Sequence, residues 1–233
     1  MTDPRVIRTA DPAGLAEQCA SLLAELLDAA LAERANAHFA LTGGTTSGGA
    51  YRLLAPARWD GIELWFGDER CVGPEDPESN YRLAAETLLG HAPGALVHRI
   101  EGERGAEAAA DAYEALLSAR VPATDGGVPV LDVVLLGIGE DGHVASLFPH
   151  HPALSVVGRA VVAVHDAPKP PPDRVSLSVA VLRAARCCIV IASGDAKAAA
   201  IAALLAGTDL SVPANHLRRE RLVVIADAAA LGD

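Results

Sequence analysis

From Leu131 to Pro149 the chain reads L-D-V-V-L-L-G-I-G-E-D-G-H-V-A-S-L-F-P. The apolar half has the composition of a strand buried on both faces of a parallel sheet. Where that strand runs out come three glycines, two acids and a histidine, His143. In open α/β sheets the ligand crevice lies beyond the carboxyl ends of the strands. An imidazole delivered there, on a loop that glycines let turn sharply, is a candidate general base.

Two further polar clusters stand at predicted strand ends. The loop G-G-T-T-S-G-G at 43–49 joins a strand to a helix. Free N–H groups and the helix dipole favour an anion at such a junction, which makes Gly43, Gly44, Thr45 and Thr46 phosphate-binding candidates. A tight turn with a Ser/Thr cap accounts for one or two of these residues, but not for seven small ones in a row. The loop lacks the G-K-[ST] of a P-loop, so a nucleoside triphosphate is not indicated. Asp68 and Arg70 close the strand I-E-L-W-F and would face the same crevice. The alternative is an Asp-Glu-Arg cluster on a surface turn, which contributes little energy.

Lysine occurs only at Lys169 and Lys197, against 17 arginines. Lys197 falls in the first turn of a predicted helix, where a cation opposes the dipole, so its placement favours a ligand role. Arg174, judged by its own neighbourhood, reads as a surface charge. The segment Gly137–Gly142 matches G-x-G-x-x-G, with Asp166 about 20 residues on. Only six residues separate Gly142 from Pro149, too few for the helix that motif requires, and Glu140 and Asp141 would face a pyrophosphate. A dinucleotide is therefore not expected.

Helices and strands must position these groups. Asp11-Pro12 predicts a capped helix start, and Leu15, Cys19, Leu22 and Leu26 continue it to about Arg34. Further helices are predicted over 48–55, 80–89, 105–120 and 195–205. Strands are predicted at 38–42, 62–66, before Gly137, and at 160–164, 174–179, 187–192 and 222–226. Residues 71–79 and 167–173 read as loops. Such alternation implies an α/β fold with a mainly parallel sheet covered on both faces. Without a repeat or linker, residues 1–233 are expected to form one domain.

Composition narrows the function. The net charge is -11, and no basic stretch offers a footprint for nucleic acid. An anionic small substrate would need a local cationic pocket. Apolar runs fall short of the ~20 residues of a membrane span, and M-T-D-P-R-V-I-R-T-A has no apolar leader core. The expectation is a cytoplasmic protein, a monomer or weak homo-oligomer, with no membrane or nucleic-acid partner. Cys19, Cys71, Cys187 and Cys188 form no C-x-x-C pair and read as buried free thiols.

In these residues the chain resembles the 6-phosphogluconolactonase family. The resemblance rests on the ordered set L-T-G-G-T-T (41–46), F-G-D-E-R (66–70), S-N-Y-R-L-A (79–84), L-L-G-I-G-E-D-G-H-V-A-S-L-F-P (135–149), P-K-P-P-P-D-R-V-S-L-S (168–178) and S-G-D-A-K (193–197). It implies a modified doubly wound, Rossmann-like α/β fold shared with glucosamine-6-phosphate deaminases and ribose-5-phosphate isomerases. The implied reaction is hydrolysis of 6-phospho-D-glucono-1,5-lactone to 6-phosphogluconate, the second step of the oxidative pentose phosphate pathway, with no cofactor and no metal.

Carried onto this chain, the resemblance makes His143 the catalytic histidine, Asp68 an active-site aspartate and Arg70 a substrate-binding arginine. It assigns Gly43 to Thr46, Arg174 and Lys197 to the phosphate. The tetrahedral oxyanion is expected to meet N–H groups near Gly139 or the Arg70 guanidinium, and Asp68 either orients the imidazole or holds a substrate hydroxyl. Deaminases share D-G-H but follow it with a glutamate that supports the histidine. Val144 to Pro149 contains no carboxylate, which favours the lactonase. A non-catalytic sugar-phosphate sensor on the same fold is the reading from another class.

Overall fold

Asp11 accepts a hydrogen bond from the Gly14 N–H (2.8 Å) and Pro12 opens helix α1 (Pro12–Arg34), as the capping signal predicts. Leu15, Cys19, Leu23 and Leu27 form its buried stripe. The computed structural model describes residues 3–233. Met1 and Thr2, which begin the stretch read as lacking a leader, lie outside the described residues. Before α1 runs strand β1 (Arg5–Thr9), and after it come β2 (Ala37–Leu41), α2 (Thr45–Leu53), β3 (Ile62–Phe66) and β4 (Asp68–Arg70). Then follow α3 (Asn80–Thr87), β5 (Leu96–Val97), α4 (Ala106–Arg120), β6 (Val133–Gly137), β7 (Val161–Val164) and β8 (Arg174–Leu177). The chain ends with α5 (Val179–Ala184), β9 (Cys187–Ala192), α6 (Ala198–Ala206) and β10 (Leu222–Asp227).

Seven strands form one sheet in the order β1-β10-β9-β6-β2-β3-β5, and every pairing in it is parallel. Every residue of β2, β3 and β10 is buried. Successive side chains point to opposite faces, so both faces of these strands are covered. From β2 the chain steps outward to β3 and β5, then returns to β6 on the other side of β2. The β2/β6 boundary is thus the topological switch point, where the crevice of an open α/β sheet lies.

A second sheet, β4-β8-β7, is antiparallel and runs off the carboxyl end of β3 through Gly67, whose carbonyl accepts from the Leu177 N–H (2.8 Å). It is the antiparallel part of a mainly parallel architecture and turns Asp68 to Arg70 from a turn into a strand. Helix α2 begins at Thr45, not residue 48, because the small residues enter the helix at once. The strand predicted over 174–179 stops at Leu177, and Val179 begins α5. The helix predicted from Asp195 opens as a 3-10 turn through Lys197. Cys19 and Cys188 are buried, while Cys71 and Cys187 are half-buried free thiols. No helix among the described residues is long and apolar enough to cross a membrane.

Candidate active site

Each strand that reaches the switch point must release its backbone from the sheet there, and two tyrosines manage the release. The Tyr51 hydroxyl accepts from the Thr42 N–H (2.7 Å) and donates to the Thr42 carbonyl (2.8 Å) at the end of β2. Tyr113 does the same for Phe66 at the end of β3 (2.7 and 3.2 Å). Beyond Thr42, two glycines serve different needs. Gly44 sits at φ +98°, in the region L side chains avoid, while a Cβ on Gly43 would lie 2.0 Å from Asn80 Oδ1. The Ser47 hydroxyl, fully buried, faces the Gly43 and Gly44 carbonyls and ties the loop to α2. The N–H groups of the first α2 turn have no partner within the helix and open toward the crevice.

From the end of β6 the chain turns back at Gly142 (φ +81°), which brings the side chains on either side of it together. The Asp141 Oδ1 lies 2.6 Å from His143 Nδ1. A carboxylate only accepts, so Nδ1 carries the proton and Nε2 keeps its lone pair. The imidazole stacks at a tilt on Phe148, with centroids 4.6 Å apart. Burial is the largest influence on its pKa and holds it below the ordinary 6.5, against the opposing pull of Asp141 and Asp68. The ring is therefore neutral at pH 7. A Cβ on Gly139 would lie 2.0 Å from His143 Nδ1, so only glycine leaves room for the pair.

The antiparallel sheet delivers the charged wall. Arg70 on β4 stands directly opposite Arg174 on β8, and like charges in that register are destabilising by themselves. Arg174 is 4% exposed. Its guanidinium donates to the carbonyls of Pro171 (3.0 Å) and Lys169 (2.8 Å) and lies 5.6 Å from the Phe148 ring centre, and no carboxylate pairs with it among the described residues. Burial, then Arg70, lowers its pKa from the usual arginine value. Asp68 is buried and accepts from Ser146 Oγ (2.7 Å) and Asn80 Nδ2 (3.2 Å), and Ser146 Oγ also faces an Arg174 Nη1 at 3.5 Å. Glu69, between them, accepts from Ser79 Oγ and from the N–H groups of Arg70, Asn80 and Tyr81, which locks β4 to the start of α3.

All ten candidate residues, His143, Asp68, Gly43, Gly44, Thr45, Thr46, Arg70, Gly139, Arg174 and Lys197, line one cavity of about 430 Å³. That size suits a small ligand. One expectation needs correction and two open alternatives are narrowed. Arg174 is not a surface charge, because β8 and the loop before it enclose its side chain. The Gly139 N–H is not free for an oxyanion, since it donates to the His143 carbonyl (2.9 Å). The imidazole's orienting partner is Asp141; Asp68 makes no hydrogen bond to it.

Asp141, Asn80, Ser146 and Lys169 were missed as site residues. Lys169 and Lys197, the only lysines in the chain, both border the cavity. That scarcity was the one signal available for Lys169. No group of three or more His, Cys, Asp or Glu side chains placed to hold a metal ion occurs among the described residues.

The sequence profile described as glucosamine-6-phosphate isomerases/6-phosphogluconolactonase matches residues 10–225. The chain belongs to this family. Within it, a 6-phosphogluconolactonase of Streptomyces coelicolor is 40% identical over 97% of this chain and 93% of its own. One from Mycobacterium tuberculosis is 41% identical over 81% of each chain. Among solved structures, the 6-phosphogluconolactonase of Trypanosoma brucei superposes with a TM-score of 0.89 at 30% identity, covering 99% of this chain and 98% of that one. The doubly wound fold of the family is thus the fold found here.

Proposed function

We propose that this chain hydrolyses 6-phospho-D-glucono-1,5-lactone to 6-phosphogluconate, with His143 as general base. The observation that carries the reading is a neutral, oriented imidazole sharing one cavity with a surplus of cations. Arg70, Arg174, Lys169 and Lys197 border that cavity against Asp68 and Glu78, in a chain of net charge -11. Such a reversal of local charge suits an anionic substrate.

In this reading the phosphate rests on the N–H groups of Thr45 and Thr46, with Lys197 and Arg174 beside it. Remote binding energy then places C1 beside His143. Nε2 takes a proton from water as the water oxygen bonds to C1, and the carbonyl electrons move onto oxygen. Collapse of that intermediate breaks the bond from C1 to the ring oxygen, which receives the proton from Nε2. With Gly139 engaged, Arg70 is the donor for the oxyanion. Asp68, held by Ser146 and Asn80, is left to hold a sugar hydroxyl. No carboxylate follows His143 before Pro149, which speaks against deaminase chemistry.

A pH-stat assay with fresh lactone, corrected for spontaneous opening, tests the reading. Turnover of the phosphorylated lactone well above that of the unphosphorylated one is expected, with no ammonia from glucosamine 6-phosphate. The His143→Ala variant should lose roughly a hundredfold or more in kcat. Near-normal turnover in that variant removes His143 from the reaction, and equal rates on both lactones remove the phosphate site.

A further inference from the structure

The sheet has a second end. At the amino ends of β6, β9 and β10, opposite the crevice, an open cavity of about 410 Å³ is bordered by Arg183, Arg186, Arg218 and Arg221. Arg186 immediately precedes β9 and Arg221 immediately precedes β10, while Val128 and Val130 lie on the turn that leads into β6. Strands of five or six residues separate this end from the His143 end by roughly 15–20 Å.

Four guanidinia gather here with little to neutralise them. Among the described residues, Arg186 reaches the buried Asp132 (3.2 Å), a carboxylate already held by Arg34 (3.0 Å). Arg218 reaches the exposed Glu220 only at 3.9 Å. Arg183 and Arg221 pair with no carboxylate; they donate to main-chain carbonyls, Arg183 to His216 (2.8 Å) and Arg221 to Ala184 and Ala185 (3.2 Å each). Those bonds fix the two guanidinia in place yet use only one nitrogen of each. A guanidinium carries five N–H donors in a planar fork matched to phosphate oxygens. In a chain of net charge -11, the carboxylate contacts of these four arginines among the described residues are the shared Asp132 and the distant Glu220.

We propose that this cavity is a second anion site, for a nucleotide-sized phosphate ester carrying at least two phosphate groups. One phosphate is satisfied by one or two arginines, so four arginines call for more than one. The remaining lining, Val128, Val130, Ala180 and Ala184 with Thr124, is mostly apolar and accommodates the organic part of the ligand. The site is independent of the chemistry at His143, and its test does not rest on lactone turnover.

Calorimetric titration with ADP is the test, using inorganic pyrophosphate as competitor. The expected result is saturable ADP binding that pyrophosphate competes away and that saturating 6-phosphogluconate leaves in place. Arg218→Glu and, separately, Arg183→Ala should each weaken it by about tenfold or more, with the melting temperature and lactone turnover of the wild type. Arg218 has only its distant contact with Glu220 to lose, so folding of that variant is not at risk. Absence of saturable binding, indifference to pyrophosphate, unchanged affinity in both variants, or displacement by 6-phosphogluconate would each overturn the proposal.

Discussion

Which nitrogen of His143 is basic is decided two residues upstream. Asp141 pins Nδ1–H, and the neutral tautomer that results points Nε2 away from Asp141. Removal of Asp141 acts twice. In Asp141→Ala the imidazole loses its orientation, and it loses an anion that raises its pKa. The expected outcome is a fall in kcat of about tenfold or more, with the acid limb of the kcat/KM profile, already below 6.5, moving lower still. An acid limb that moves upward would mean Asp141 does not face the catalytic imidazole.

Gly139 isolates geometry from chemistry. Its φ is not in the left-handed region, so alanine is tolerated by the backbone, and the atoms nearest its Cβ are those of the His143–Asp141 pair. Gly139→Ala should lose most of its turnover while its melting temperature stays close to wild type. Intact turnover would show that the pair can shift without consequence. His143 was legible in the sequence because glycines and a buried strand surround it. Asp141 was not, because facing side chains across one residue require the positive φ of Gly142, which no spacing rule announces.

At the scale of elements, the crevice depends on strands that end where they should. Tyr51 and Tyr113 supply, from helices α2 and α4, the hydrogen bonds that β2 and β3 lose on leaving the sheet. Tyr51→Phe leaves the buried Thr42 N–H without its partner, while the Thr42 carbonyl keeps only the longer bond from the Ser47 hydroxyl (3.3 Å), a cost of about 1–3 kcal/mol for the unsatisfied N–H. Urea unfolding should register a loss of that order, and the KM for the phosphorylated lactone should rise because Thr42 leads into the glycine loop. An unchanged midpoint would show that water replaces the hydroxyl.

The central strands were legible as apolar runs, since full burial on both faces leaves no alternation to misread. Strands β1 and β5 were not, because the edges of the sheet leave Val6, Leu96 and Val97 exposed. Strand β4 was hidden for a different reason. Three charged residues read as a turn until β8 and α3 are in place to bury two of them.

For the whole molecule, acid sets two effects against each other. Lowering the pH toward the pI of about 5.1 removes the self-repulsion of a chain of charge -11, which favours the folded state. The same change asks buried and half-buried histidines to accept protons. His38, His98 and His143 all have pKa values held below 6.5, chiefly by burial, so the unfolded chain binds protons before the folded one does. Their contribution to stability is therefore complete above 6.5 and is lost progressively as the pH falls from 6.5 toward their folded values.

Glu69, raised by burial, works in the opposite sense from the carboxylate range upward, and the exposed His165, raised by its hydrogen bonds to Asp173 and Glu107, does so from 6.5 upward, two groups against three. Surface repulsion is screened beyond about 8 Å at physiological salt, whereas the buried and half-buried imidazoles are screened less. At that ionic strength the histidines should prevail, and the melting temperature should fall as the pH is lowered from 7.5 to 5.5. A scan across that window by calorimetry decides it. A melting temperature that held steady or rose toward pH 5.5 would assign control to the surface charge and require the three imidazoles to be solvated in the folded protein.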